Sequence, residues 1–197
     1  EEQMNLIGRY LKKLGVKIIR GGAFKPRTDP KSFQGLGIDG LKILKNVKDK
    51  YGLKVVSEIM DPRDVEETYN YIDIYQIGSR NMQNYSLLKE VGKTKKPILL
   101  KRGMSATIEE WIKASQYIEM EGNENIILCE RGIRTFENYT RNTLDLMSVP
   151  IIKSKTKYPI LIDPSHGTGR RELILPATKA SLALNADGVI IEIHPNP

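Results

Sequence analysis

The stretch "GGAFKPRTDPKSFQGLG", residues 21–37, sets Lys25, Pro26, Arg27 and Thr28 side by side directly after the strand-like run "VKIIR". Two cations and a hydroxyl around a proline suit the grip of an anion. Pro26 fixes φ and stiffens the loop, so Lys25 and Arg27 lose less entropy on closing round a ligand, and Thr28 adds a neutral donor. Each charge-assisted hydrogen bond of this kind contributes about 1.5 to 3 kcal/mol. Arg20, Arg80, Lys101 and Arg131 also stand at or just past the ends of strand-like runs. Gathered in one mouth, Arg20, Lys25, Arg27, Arg80, Lys101 and Arg131 repel one another unless an anion sits among them. That points to a substrate carrying phosphate or carboxylate groups.

The chain has two histidines, His166 in "DPSHGTGRR" and His194 in "EIHP", each just past a strand-like run. A histidine bonded to a backbone carbonyl is the plain structural reading, and for His194 it stays open. His166 follows Asp163, and Glu192 leaves the last strand. One histidine with one or two carboxylates suits a divalent metal such as Mn, Fe or Zn, although two ligands leave the shell incomplete. Glu58, in "VVSEIMDP", reads either as an acid/base or water-orienting group or as a structural ion-pair partner. Cys129 shares the side of Arg131 by strand alternation, but a lone cysteine in an apolar strand reads as a small core residue. The lysines of "KKLGVK", "KNVKDKYGLK" and "KEVGKTKK" read as surface charge complementing helix C-termini.

The elements that must position these residues follow from periodicity. Strand-like runs lie at 16–19, 54–60, 73–78, 97–100, 125–129, 159–163 and 188–193, with amphipathic segments such as "EEWIKASQYIEME" (109–121) between them. In that segment Trp111, Ile112, Ser115 and Ile118 fall near helical spacing. Gly15, Gly52, Gly92 and Gly122 sit where helix C-caps favour glycine, and "TIEE", Thr107 to Glu110, has capping-box spacing. The repeat averages about 29 residues, close to the roughly 31 of an eight-unit β/α barrel, with one strand too few. A doubly wound sheet is the competing architecture. Against it, polar residues follow all seven runs, and "GGAF" is followed by Lys-Pro-Arg where a dinucleotide fingerprint needs glycines opening a helix. The expected fold is therefore α/β, a (β/α)8 TIM barrel one strand short, in a single domain.

Composition narrows the partners. The 197 residues are 40% hydrophobic and 28% charged, enough for a buried core, with a formal charge of +7 and pI near 9.4. No apolar run approaches the ~18 residues that span a bilayer, and the opening "EEQMNLIGRY" is acidic where a signal peptide is basic. An intracellular, cytoplasmic location with no membrane partner is expected, in keeping with a single cysteine. Nucleic acid is disfavoured, because aromatics make up only 7% and no basic stretch is interleaved with them.

Five stretches in order, "IIRGGAFKPRTDPKSFQGLG", "LKRGMSATIEEW", "ILCERGIRTFE", "IDPSHGTGRR" and "IIEIHP", resemble the strand-end motifs of type I 3-deoxy-D-arabino-heptulosonate 7-phosphate (DAHP) synthases. The likeness is to the compact microbial branch, related to 3-deoxy-D-manno-octulosonate 8-phosphate synthases. It implies a β/α barrel and a transferase that condenses phosphoenolpyruvate with erythrose 4-phosphate, the first step of the shikimate route. It also implies a divalent metal cofactor (Mn, Fe, Zn or Co) and a homo-oligomer, dimer or tetramer. Carried over by position, Arg20, Arg80, Lys101 and Arg131 would hold phosphoenolpyruvate. Lys25, Pro26, Arg27 and Thr28 would receive erythrose 4-phosphate, with Arg27 on its phosphate and Lys25 near the reacting centre. His166 and Glu192 would be metal ligands, and Glu58 would position the attacking water. Lys25, Glu58, Lys101 and His166 thus make the implied catalytic set. The family's cysteine ligand would precede residue 1 and its aspartate ligand would follow residue 197, so the resemblance implies a barrel lacking its first strand and final helix, with residues 1–197 a single catalytic domain incomplete at both ends. Two alternatives accompany this reading. One is the octulosonate relative acting on arabinose 5-phosphate, which typically has asparagine where this chain has Pro26. The other is a non-catalytic phosphate-binding barrel.

Overall fold

The computed structural model describes residues 1–196, which form two compact units, Glu1–Ile77 together with 193–196, and Gly78–Glu192. In the first unit, α1 (Glu2–Lys13) places Glu2 in its first turn and Lys12 and Lys13 in its last, matching the helix dipole. It buries Ile7, Gly8 and Leu11. Strand β1 (Ile18–Arg20), helix α2 (Gly37–Tyr51), strand β2 (Lys54–Glu58), the short α3 (Val65–Thr68) and strand β3 (Ile74–Ile77) follow. The strands pair in parallel, with Arg20 opposite Val56 and Glu58 opposite Gln76. Leu41, Val47, Val55, Ile59, Ile72, Tyr75 and Ile77 are fully buried and form the core.

In the second unit, α4 (Tyr85–Gly92), β4 (Ile98–Lys101), α5 (Ile108–Glu119) and β5 (Ile126–Glu130) are followed by α6 (Ser148–Lys155) and β6 (Ile160–Ile162). Helices α7 (Pro164–Thr168) and α8 (Arg171–Ala183) and strand β7 (Gly188–Val189) complete it. Strands β4 to β7 pair in parallel in sequence order. Ile98, Leu100, Leu128, Ile160 and Ile162 are buried, the near-continuous apolar strand pattern of a sheet covered on both faces. Among the described residues there are seven strands, one at each expected run, with β1, β4 and β5 reaching one residue further to take in Arg20, Lys101 and Glu130, and the fold class is α/β in the strand-then-helix order of a β/α barrel.

Local expectations are met in most places. Thr107 Oγ1 accepts from the Glu110 N–H at 3.1 Å, and the Glu110 carboxylate accepts from the Thr107 N–H at 2.7 Å, closing the capping box. Gly15, Gly52 and Gly122 take positive φ as expected. Helix α5 turns Trp111, Ala114, Ser115 and Ile118 inward, and the Trp111 indole donates to the Leu100 carbonyl at 3.2 Å. Ile112 is only half-buried, with Ala114 taking the inward place.

Three expectations need correction. Gly92 is not a left-handed cap: it is the last residue of α4, which packs on α5, and a Cβ there would lie 2.8 Å from the Ile118 carbonyl oxygen. The final strand is shorter than the run 188–193. The Ile190 N–H still donates to the Ile162 carbonyl, but β6 has ended there, and the Glu192 N–H goes to the Ser165 hydroxyl instead. Lys48, read as plain surface charge, donates to Asp73 at 2.7 Å, while the other Asp73 oxygen accepts the Val55 N–H at 2.8 Å. Asp187 repeats the device with Lys153 and the Ile160 N–H. In both cases an aspartate just before a strand ties the preceding strand to a helix. Among the described residues no helix is long and apolar enough to cross a membrane.

Candidate active site

The second unit gathers Lys101, Asp163, His166 and Glu192. Lys101 ends β4 and is 4% exposed; its ammonium donates to the Asp163 carboxylate, which is fully buried. Asp163 follows β6 and caps α7, accepting the His166 N–H at 2.9 Å, while its other oxygen meets His166 Nδ1 at 2.7 Å. Burial opposes ionisation of Asp163, yet the His166 hydrogen bond and the Lys101 and His166 charges outweigh it and hold the carboxyl well below the usual range.

With Nδ1 occupied by Asp163, His166 turns Nε2 to Glu192 Oε1 at 3.2 Å. The Ser165 hydroxyl accepts the Glu192 N–H at 3.0 Å and so fixes the chain that carries this carboxylate. Two donors converging, with an aspartate behind the histidine, have the chemistry of half a metal shell with its outer support. Among the described residues, no third histidine, cysteine or acidic side chain completes a ligand group.

Arg131 lies just past β5, 7% exposed, and donates to the Gly132 carbonyl at 3.4 Å. Burial lowers its pKa, and the Asp163 charge partly offsets that. Among the described residues no carboxylate comes within ion-pair distance of its guanidinium. Arg102 differs, although it is as buried. Its Nη1 donates to Glu130 at 2.9 Å and to Asp145 at 2.7 Å, and its Nε donates to the Ala106 carbonyl. Against the burial penalty, these carboxylates hold Arg102 charged, while burial pushes the Glu130 carboxyl up. Arg102 is thus a structural staple for the strand ends, and Arg131 is left available. Arg80 is exposed in the short turn Ser79–Asn81.

The first unit holds a separate cluster. Arg20 donates from Nε to Gln76 Oε1 at 2.6 Å, and Gln76 Nε2 donates to Glu58 Oε2 at 3.0 Å. The Lys25 ammonium lies 6.0 Å from the centre of the Phe33 ring, and the Lys25 backbone N–H donates to the Gln34 carbonyl at 2.8 Å. Arg27 is exposed and donates to the Phe33 carbonyl at 3.1 Å. Pro26 is half-buried and Thr28 exposed in the same loop. Gly35, at φ +107°, permits the loop's return, since a Cβ there would meet the Ala23 carbonyl oxygen. Asp61 is engaged locally by Arg63, whose hydrogen bonds lower its carboxyl to about 2. His194 is exposed between Gln3 and Asn196.

Sequence reasoning passed over Gln76 and read Asp163 as a carboxylate that could share a metal with His166, whereas the structure engages it with Lys101 and His166 Nδ1. Gln76 carries one legible signal, a polar residue inside the apolar run "DIYQIG". The role of Asp163 depends on Lys101, 62 residues away in sequence, and so on β4 and β6 flanking β5.

Comparison with known proteins shows the family. The model of the DAHP synthetase I family matches residues 1–197. A "phospho-2-dehydro-3-deoxyheptonate aldolase" of Thermotoga maritima is 53% identical over 196 residues, all of this chain and 58% of that protein. A "2-dehydro-3-deoxyphosphooctonate aldolase" of Francisella tularensis is 30% identical, over 97% of this chain and 74% of that protein. The crystal structure of the Thermotoga maritima DAHP synthase superposes with a TM-score of 0.95 at 52% identity, covering 98% of this chain and 57% of that one. Its truncated form gives 0.92 at 50% identity, covering 100% and 71%. The chain belongs to the DAHP synthetase I family. It spans a little under three-fifths of the length of the Thermotoga relative.

Proposed function

We propose that the chain carries the site for condensing phosphoenolpyruvate with erythrose 4-phosphate, releasing 3-deoxy-D-arabino-heptulosonate 7-phosphate and inorganic phosphate. The observation that carries this reading is Arg131, a buried guanidinium with no ion pair among the described residues, in the same unit as the buried Lys101. A cation so placed is costly unless an anionic ligand compensates it. Arg131 and Lys101, with Arg80 and Arg20, take the phosphate and carboxylate of phosphoenolpyruvate. Arg102, already spent on two carboxylates, takes neither.

The loop Lys25 to Thr28 takes erythrose 4-phosphate, Arg27 binding its phosphate. Holding two anions in reacting contact is much of what such a site contributes, since they repel each other in water. C3 of the enol phosphate attacks the aldehyde carbon, Glu58 orients the water that adds at C2, and phosphate leaves. His166 and Glu192 are the residues to hold a divalent ion, which when bound would polarise the aldehyde as a Lewis acid. Asp163 keeps the His166 Nδ1 proton facing itself and so leaves Nε2 as the ligating atom. The setting of the reading is a cytoplasmic homo-oligomer.

The test is a phosphate-release assay with phosphoenolpyruvate and either erythrose 4-phosphate or arabinose 5-phosphate, with and without added Mn. Turnover with the four-carbon sugar alone is expected. Turnover with arabinose 5-phosphate instead would move the assignment to the octulosonate reaction. Phosphoenolpyruvate binding without turnover would leave a phosphate-binding barrel.

A further inference from the structure

We infer that Gln76 is a positioning residue, an amide relay that sets the Arg20 guanidinium for its anionic ligand while holding Glu58. The inference rests on the functional reading above, in which Arg20 binds phosphoenolpyruvate. Arg20, Val56, Glu58 and Gln76 share one face of three adjacent strands, because Arg20 is in register with Val56, Glu58 is two residues on, and Gln76 is opposite Glu58. A guanidinium and a carboxylate on one face would ordinarily close on each other. Here the Gln76 side chain, 1% exposed, stands between them. Its carbonyl accepts from Arg20 Nε at 2.6 Å and its NH2 donates to Glu58 Oε2 at 3.0 Å.

An amide does both at once, accepting from the cation and donating to the anion without charge of its own, which a carboxylate or a cation at this position cannot do. Two consequences follow. Among the described residues Arg20 donates only from its Nε, so the forked Nη end stays available for a phosphate or carboxylate. Glu58 is held by a neutral donor and does not neutralise Arg20. A carboxylate at position 76 would break both arrangements, drawing the guanidinium to itself and placing like charge about 3 Å from Glu58.

The experiment compares wild type, Gln76→Met and Gln76→Glu on the 197-residue chain. The readouts are phosphoenolpyruvate affinity by calorimetry between pH 5 and 8.5, turnover, and thermal melting. Gln76→Met, similar in shape, removes both hydrogen bonds, and phosphoenolpyruvate affinity should fall about tenfold or more, the loss of one hydrogen bond to a charged group. Gln76→Glu should bind weakly at pH 8 and recover toward wild type as pH falls, because a protonated carboxyl accepts from Arg20 and donates to Glu58 as the amide does. A merely structural glutamine predicts no such recovery.

Wild-type affinity in a folded Gln76→Met, or an affinity ratio between Gln76→Glu and wild type that does not change with pH, overturns the inference. If Gln76→Met does not fold, the pH profile of Gln76→Glu decides alone. A wild type that binds phosphoenolpyruvate without turning it over sinks the catalytic reading while leaving the relay to be judged by affinity; a wild type that binds none overturns both.

Discussion

Removing the Asp163 carboxylate tests the arrangement at its most buried point. In Asp163→Ala the Lys101 ammonium, with its side chain 5% exposed, loses the one carboxylate it pairs with among the described residues. Breaking such a pair by deleting one partner costs about 3 to 5 kcal/mol. Loss of the α7 cap, where Asp163 accepts the His166 N–H, adds about 1 kcal/mol. With a urea dependence of about 2 kcal/mol per molar, the midpoint should fall by roughly 2 to 3 M. Trp111, the sole tryptophan, is buried in the same unit, so its fluorescence reports the transition directly. The double variant Lys101→Met/Asp163→Ala should recover about 2 kcal/mol or more, since no unpaired charge is then buried, leaving mainly the lost cap. If Asp163→Ala costs under about 1 kcal/mol, or if the two single losses add in the double variant, the buried pair is not what organises this site.

Three further outcomes are expected. Arg131→Ala should fold, since among the described residues its guanidinium makes no ion pair, yet lose about 2 to 5 kcal/mol of phosphoenolpyruvate binding by calorimetry. Burial alone would raise the Asp73 carboxyl, but Lys48, the Val55 N–H and Lys54 together hold it below its ordinary value. A carboxyl lowered in the folded state contributes stability above its unfolded pKa, so the gap between wild type and Asp73→Asn should be full above about pH 4 and close as pH falls through the folded value, measured by denaturation at stepped pH. Gly92→Ala should destabilise the second unit in thermal melts: its Cβ would sit 2.8 Å from the Ile118 carbonyl oxygen, and about 1 to 3 kcal/mol of overpacking outweighs a helix-propensity gain of about 1 kcal/mol.

Glycine shows where sequence reading reaches its limit. Gly52 and Gly92 both precede a strand at the end of a lysine-bearing helix, and sequence treats them alike. Gly52 takes φ 69° with open space around it, whereas Gly92 is helical and admits another helix's backbone. The same holds for the arginines. Arg102 and Arg131 both follow apolar strands, and nothing in their immediate neighbours says that Glu130 and Asp145 claim one and leave the other. Asp145 is 43 residues from Arg102, and a partner at that distance is set by which strands adjoin.

Much was nonetheless fixed by the order of residues alone. Apolar β-branched runs recurring at an even interval specify strands buried on both faces, with helices between them, and the polar residues after each run mark the end at which chemistry is placed. The capping box at Thr107 was legible because short-range spacing determines it, and His166 and Glu192, which the structure brings to 3.2 Å, stood out because each stands at or just past the end of a strand-like run. Folding alone decided which charge meets which. Strand register set Gln76 between Arg20 and Glu58, and the order β4, β5, β6 brought Lys101 to Asp163. In a buried site the cost of an unpaired charge depends on neighbours within a few ångströms, and sequence separation does not encode that distance.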